Sequence, residues 1–105
     1  MLLLCANPVQ ANTSEDEIEH LIEFVAASGC DFERNGTIHT SEGAAKHMRL
    51  KLSNGKRYAS TAENFIDRLA SGSSWTGKNY YAICDGKRIK SKDWLHRELQ
   101  DIRAQ

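Results

Sequence analysis

The sequence lacks any apolar run long enough to cross a membrane. Its most apolar stretch, Leu2-Leu3-Leu4 near the start, falls far short of the roughly 20 residues that a spanning helix needs. The chain also lacks a charge excess, with 14 basic and 14 acidic residues, so nothing favours nucleic-acid binding. Internal repeats and low-complexity segments are missing too, and 105 residues suit one domain. We expect one domain without a membrane span.

Complete catalytic motifs are also missing. There is no Gly-x-Ser-x-Gly nucleophile elbow and no spaced carboxylate pair for glycoside cleavage. Residues 72–79, GSSWTGKN, resemble a phosphate-binding loop but place Asn79 where a hydroxyl would ligate magnesium. This segment is predicted to leave a helix and enter a strand, whereas a phosphate loop does the reverse. We predict an ordinary turn here, no cofactor, and a protein that is not an enzyme.

The start of the chain resembles the end of an export signal. Val9 and Ala11 are small residues at the spacing that signal peptidase reads, which predicts a cut after Ala11. Residues 1–11 would then be a residual signal peptide, residues 12–105 the single domain, and the location periplasmic. Two alternatives are a cytosolic N-terminus and a lipoprotein with Cys5 as acceptor, although Leu4 is bulky for that site.

Cysteine is scarce, and removing residues 1–11 leaves Cys30 and Cys84. An even count in a small exported chain predicts a disulfide. A zinc site that adds His39 and His47 is the alternative, but it lacks the close paired spacing of such sites. We therefore predict one disulfide and no metal.

Hydrophobic periodicity predicts four helices and a small antiparallel sheet, an α+β fold. Ser14, Thr40 or Ser41, Ser60 and Ser91 are the expected helix caps. The Asn35-Gly36 pair predicts a type I′ turn. The expected buried stripes of the four helices are Ile18, Leu21, Ile22, Val25 and Ala26; Ala44, Ala45, Met48 and Leu52; Ala62, Phe65, Ile66, Leu69 and Ala70; and Trp94, Leu95, Leu99 and Ile102.

Charge is unevenly distributed along the chain. Residues 12–33 carry seven acids and no base, while residues 34–105 carry all 14 bases and the other seven acids. One interpretation is an acidic first helix lying against a basic remainder. The other is a basic face that is open to an anionic partner.

Two blocks of sequence carry a resemblance. The first is Phe32, Arg34-Asn35-Gly36, His39, Glu42, Ala44, His47, Arg49 and Lys51, and the second is Thr61-Ala62-Glu63, Phe65-Ile66-Asp67, Ala70, Ser73-Ser74 and residues 77–80. Together they resemble the YfeK-like family of small exported bacterial proteins. The resemblance implies a leader, a periplasmic home and a compact single domain, but no activity, because the family is itself of unknown function.

The polar segments with glycine turns are the candidates for recognition. Trp75 lies in a Gly/Ser loop, where it either is exposed or folds back as a lid over the core. We predict a binding or interaction module for an envelope protein, a peptide or a glycan fragment, with the ligand-binding residues Arg34, Asn35, His39, His47, Ser74, Trp75, Lys78 and Tyr80. The alternatives are a hydrolase or transferase with His39 or His47 as general base, and an envelope structural protein.

Overall fold

Helices pack on one face of a four-stranded antiparallel sheet, which confirms the predicted α+β class. The computed structural model describes residues 13–105. The predicted signal peptide, its cut after Ala11 and Cys5 lie outside the described residues. The elements in order are α1 (Ser14–Ala27), β1 (Asp31–Arg34), β2 (Thr37–His39), α2 (Ser41–Asn54), a 3₁₀ turn (Lys56–Tyr58), α3 (Ala62–Asn64) with a π-helix (Phe65–Ala70), β3 (Tyr81–Cys84), β4 (Lys87–Lys90) and α4 (Ser91–Arg103).

The sheet has the strand order β2-β1-β3-β4, with every neighbouring pair antiparallel. Phe32 on β1 lies opposite Ala82 on β3, and both side chains are buried against the helices. The alternating residues Glu33 and Tyr81 face the other side, where Arg88 from β4 covers the Tyr81 ring and pairs with Glu33. Side chains alternate between the faces of a strand, so each short strand has one apolar and one polar face.

A disulfide joins Cys30 to Cys84, as the sequence predicts, with 4.7 Å between the Cα atoms. Cys30 precedes β1 and Cys84 ends β3, one step beyond the Asp31–Ile83 partners of the two strands. The bridge therefore fastens the two central strands side by side. Its position also confirms the expected pairing of the strand that contains Phe32 with the strand that follows Tyr80.

The two hairpins turn on Asn-Gly and Asp-Gly pairs. Asn35 and Gly36 have φ angles of 51° and 81°, and Asp85 and Gly86 have 52° and 78°. A type I′ turn requires positive φ at both central positions, which Asn, Asp and Gly tolerate best. The predicted Asn35-Gly36 turn is thus present between β1 and β2.

The predicted apolar stripes form the core. Each helix buries most of its stripe: α1 buries Ile18, Leu21, Ile22 and Val25; α2 buries Ala44, Ala45 and Met48; the third helix buries Ala62, Phe65, Ile66, Leu69 and Ala70; and α4 buries Leu95, Leu99 and Ile102. Trp94, expected in the core, is only partly buried. It packs between Phe24 and Phe32, with ring centroids 4.6 and 5.5 Å away.

Three of the predicted helix caps are wrong. Thr13, not Ser14, caps α1, because its hydroxyl accepts from the Asp16 amide while Asp16 reaches back to the Thr13 amide. Thr61, not Ser60, caps α3 by accepting from the Asn64 amide. Serine and threonine hydroxyls can both cap a helix, so the sequence alone does not show which of two adjacent hydroxyl residues is the cap.

Helix α4 starts without the side-chain cap that was predicted at Ser91. Lys90 occupies the cap position without a side-chain bond, and Ser91 lies inside the helix with its hydroxyl buried and no partner among the described residues. By contrast, Thr40 caps α2, which agrees with one of the two candidates there.

The third helix is mostly a π-helix. Only residues 62–64 have α geometry before the chain widens into the π-helix Phe65–Ala70. The Ser71 hydroxyl donates to the Ile66 carbonyl at the end of this segment. The expected apolar stripe survives, because Phe65, Ile66 and Leu69 are all buried. Such wide turns occur often at functional sites, and this one borders the cleft described below.

Acidic side chains of α1 pair with basic side chains elsewhere. Arg103 of α4 bonds Glu17 with both nitrogen–oxygen distances below 3 Å, and it also bonds Glu63. Arg49 of α2 makes two bonds to Glu19. The interpretation of an acidic helix lying against a basic remainder therefore accounts for part of the charge asymmetry. Among residues 13–105, no helix is both long and apolar enough to cross a membrane.

Candidate functional site

An open cleft of about 640 Å³ lies where α2, the π-helix and the loop before β3 meet the end of β1. This volume is in the range of small-molecule sites. Amide, hydroxyl, aromatic and basic side chains dominate its lining. The lining residues are Arg34, Asn35, His47, Leu50, Lys51, Asn54, Gly55, Tyr58, Arg68, Leu69, Ser73, Ser74, Trp75 and Tyr80.

Helix α2 supplies one wall through a second stripe, distinct from its buried one. His47, Leu50, Lys51 and Asn54 follow at i, i+3, i+4 and i+7 and all line the cleft. Residues at this spacing share one face of a helix. The Lys51 ammonium donates to the Gly72 carbonyl at 3.0 Å and to the Tyr80 hydroxyl at 3.2 Å. Lys51 thereby ties α2 to both ends of the loop that carries Trp75.

Trp75 stands on a loop that is held by several hydrogen bonds. The Ser73 hydroxyl accepts from the amides of Trp75 and Thr76, and the Ser73 carbonyl accepts from the Gly77 amide. The Thr76 hydroxyl donates to the Asn35 side-chain oxygen at 2.8 Å, which joins this loop to the first hairpin. The indole itself is 96% exposed. Of the two predicted placements of Trp75, the structure therefore has the exposed one.

Gly72 permits the base of this loop to close. Its backbone pairs with Asn79, and a Cβ atom there would lie 2.8 Å from the Lys78 carbonyl oxygen. Any side chain at position 72 would push the two arms of the loop apart. The segment 72–79 leaves the π-helix and leads into β3, in agreement with its interpretation as a turn.

Three basic side chains line the cleft, and we call them the basic trio: Arg34, Lys51 and Arg68. No carboxylate is among the lining residues. Within residues 13–105, no member of the trio lies within 4.0 Å of a carboxylate, although Arg49, Arg88 and Arg103 all do. The positive charge of the cleft is therefore not neutralised by a carboxylate of residues 13–105.

Burial shifts the pKa values of several groups in and beside the cleft. Burial, then the charges of Arg34 and Lys51, lowers the pKa of His47 to about 4. Burial, then the Arg34 charge, also lowers the pKa of Lys51, while burial raises the pKa of Tyr80. His47 is consequently neutral at neutral pH, and its basicity is far below that of an ordinary histidine. Burial lowers the pKa of His39 as well, followed by the Arg34 charge.

The structure brings six of the eight predicted ligand-binding residues to this cleft. They are Arg34, Asn35, His47, Ser74, Trp75 and Tyr80. His39 lies on β2 and does not line it. Lys78 lines a smaller neighbouring depression of about 240 Å³ with Asn35 and Arg88.

Sequence reasoning missed five residues of the lining that carry much of its character. They are Leu50, Lys51, Asn54, Tyr58 and Arg68. A signal for three of them was present, because Leu50, Lys51 and Asn54 continue from His47 at helical spacing on the side of α2 away from its core stripe. Nothing comparable marks Tyr58 and Arg68, which reach the cleft only through the path of the chain between α2 and β3.

No metal centre is formed by the part of the chain that the structure describes. It contains no group of three or more histidine, cysteine or acidic residues that could hold an ion. Cys30 and Cys84, the thiols of the alternative zinc site, are bonded to each other.

Comparisons with known proteins show which family the chain belongs to. The chain is 43% identical over 82 residues to the uncharacterised protein YfeK of Salmonella typhimurium strain LT2, covering 74% of this chain and 68% of that protein. No solved structure matches. Residues 12–103 match the model of a family of unknown function, DUF5329. With nearly its whole length matched, the chain belongs to the DUF5329 family.

Proposed function

We propose that the protein is a periplasmic binding module whose cleft holds an anionic ligand. The observation that carries this proposal is the basic trio, Arg34, Lys51 and Arg68, gathered in one cleft whose lining contains no carboxylate. Unpaired basic side chains repel one another, which costs folding free energy unless an anion neutralises them. A ligand with negative charge would supply the anionic partner that Arg49, Arg88 and Arg103 find in glutamates of the chain.

The lining also suits recognition. Ligand sites usually combine a small number of polar groups, which orient the ligand, with aromatic and apolar surface around them. Leu50, Tyr58 and Trp75 provide that surface here. Lys51 is already positioned by its bonds to Gly72 and Tyr80. A pre-positioned cation loses less side-chain freedom on binding.

We do not propose the hydrolase or transferase alternative. A general base works best with a pKa near the operating pH, and burial moves the pKa of His47 to about 4 and lowers that of His39. Both histidines are thereby weakened as bases. An envelope structural role is the remaining alternative and is an outcome of the experiment below.

The binding proposal predicts that the affinity for anionic ligands depends on the positive charge of Arg34. The experiment titrates the full chain with three anionic probes of unrelated scaffold, triglutamate, trigalacturonate and AMP, by isothermal titration calorimetry. Arg34→Gln is expected to raise Kd of a bound probe about tenfold or more, because a hydrogen bond to a charged group contributes about 1.5–3 kcal/mol.

Arg97→Gln is the matched control for this experiment. Arg97 is exposed on α4 and does not line the cleft, so removing its charge should change Kd less than about twofold, as expected for a distant exposed charge. Failure of all three probes to bind, or equal effects of Arg34→Gln and Arg97→Gln, would contradict the proposal and leave the envelope structural role.

Export is tested separately. The gene with its full leader is expressed, and the intact mass of the protein recovered from the periplasmic fraction is measured. We expect a chain that begins at Asn12 and is two hydrogens lighter than its reduced form, since the predicted cut follows Ala11 and Cys30–Cys84 is bridged. An uncleaved chain in the cytosolic fraction would contradict the periplasmic location.

A further inference from the structure

Trp75 offers the cleft one open aromatic face. Its indole is 96% exposed, yet the loop beneath it is fixed by the Ser73 hydroxyl, which accepts two amide bonds, and by the Thr76–Asn35 bond. A large apolar ring is seldom left so exposed. Because the loop is already formed, covering this ring with a ligand requires little ordering of the chain.

Tyr80 and Tyr58, the two phenol rings of the cleft, are less open than Trp75. Tyr80 is 7% exposed, with the Lys51 ammonium 5.0 Å from its centroid and the His47 ring against its edge. Tyr58 is 44% exposed, and the Arg57 guanidinium lies over its ring, 4.9 Å from the centroid. Trp75 is the most open of these rings, and one such ring stacks one flat group of a ligand. A single-stranded nucleic acid is instead bound by successive stacked bases on a basic groove, and this chain has no net charge.

The cleft also does not suit an extended peptide. Peptides that are read through their main chain add a strand to an exposed sheet edge. The edge strands of this sheet are β2 and β4, and neither contributes a residue to the cleft lining. Main-chain groups of α2 are engaged within the helix. A peptide in the cleft would therefore find no strand edge with which to pair its main chain.

Short amide and hydroxyl side chains share the cleft with the open ring. Asn35, Asn54, Ser73 and Ser74 line the cleft together with Trp75. Amides and hydroxyls both donate and accept, which matches the hydroxyl groups of a sugar. The apolar C–H face of a sugar ring is flat enough to lie on an indole.

We infer that the cleft is a site for a saccharide that carries carboxylate groups. One sugar ring lies on Trp75, its hydroxyls bond the surrounding amides and hydroxyls, and its carboxylates lie against the basic trio. This inference rests on the proposed anion-binding function and assigns the class of ligand to the same site. It requires both features at once, the ring and the charge.

The experiment separates ring from charge with matched probes. Trigalacturonate and a hyaluronan tetrasaccharide are titrated into the full chain by calorimetry, together with the methyl ester of trigalacturonate, triglutamate and AMP. At least one acidic saccharide is expected to bind at least tenfold more tightly than the ester, which keeps the rings without the charge. It is also expected to bind at least tenfold more tightly than triglutamate or AMP. Both of these probes carry negative charge, but triglutamate has no ring and AMP would stack on Trp75 through its adenine base.

Two variants of Trp75 locate the sugar. Trp75→Ala should raise Kd of the bound saccharide at least tenfold, while Trp75→Phe, which keeps a ring, should raise it less than threefold. The position is exposed, so both variants should melt like the wild type. An effect of Trp75→Ala equal to that of Trp75→Phe overturns the inference.

Outcomes with the other probes distinguish this inference from the proposed function. If triglutamate or AMP binds with an Arg34-dependent Kd and neither acidic saccharide does, the saccharide assignment is wrong and the anion-binding function stands. If the methyl ester binds as tightly as trigalacturonate, the charge is not used and the assignment is wrong. If no anionic probe binds, both fail.

Discussion

Replacement of Cys30 and Cys84 by serine is expected to lower the free energy of unfolding by about 4 kcal/mol, the chain-entropy value for a closed loop of this size. The bridge spans 54 residues, and that loop contains β1, β2, α2 and the π-helix. A free energy of unfolding of roughly 5–15 kcal/mol is usual for a domain, so the bridge accounts for a sizeable part of that margin. The melting temperature should fall by roughly 15–30 °C for a domain of this size.

The measurement is chemical and thermal unfolding of the double variant beside the wild type with and without a thiol reductant. Reduced wild type should match the double variant, and the double variant should be insensitive to reductant. Equal melting temperatures of oxidised and fully reduced wild type would contradict the prediction.

Arg103→Leu is expected to lower the free energy of unfolding by about 3 kcal/mol, at the lower end of the range for breaking a buried ion pair. The Glu17 side chain is only 9% exposed and takes two bonds from Arg103. Without its partner the Glu17 carboxylate would remain buried and charged. The lower end applies because Arg103 itself is 43% exposed.

Glu63 adds to this cluster. The bond from Arg103, followed by a backbone bond, lowers the pKa of Glu63 to about 2, and Arg103 likewise lowers the pKa of Glu17. Both carboxylates are therefore ionised at neutral pH. Loss of Arg103 would leave two like charges near each other at the junction of α1, α3 and α4.

Arg49→Leu is the matched control for Arg103→Leu. Arg49 also makes two bonds to a glutamate of α1, Glu19, but these side chains are 48% and 46% exposed. Exposed pairs contribute about 0–1 kcal/mol, so this variant should unfold nearly like the wild type. The double variant Glu17→Leu/Arg103→Leu should recover much of the loss, because it removes the unpaired buried charge. Equal costs for Arg103→Leu and Arg49→Leu in urea unfolding would refute the assignment.

Some residues of the site could be predicted from local sequence patterns, but the full set of lining residues could not. Trp75, Ser74 and Arg34 could be named because a tryptophan in a Gly/Ser loop and a turn flanked by a base are visible within a few residues. Tyr58 and Arg68 could not be named as site residues from the sequence. Tyr58 belongs to the 3₁₀ turn and Arg68 to the π-helix, and no local pattern links either segment to the cleft. His39 was named for its closeness to α2 in sequence, yet the hairpin takes it to the edge strand β2.

Sequence patterns were enough to predict the α+β class, the buried stripes of the helices, the Asn35-Gly36 turn and the Cys30–Cys84 pairing. These follow from side-chain periodicity, from backbone angles that few residues tolerate, and from the count of cysteines. Three features became visible only in the folded chain: which hydroxyl caps each helix, the widening of the third helix into a π-helix, and the pairing of Arg103 with Glu17. The tertiary structure alone gathered the basic trio around one cleft, because that arrangement depends on the packing of segments far apart in the chain.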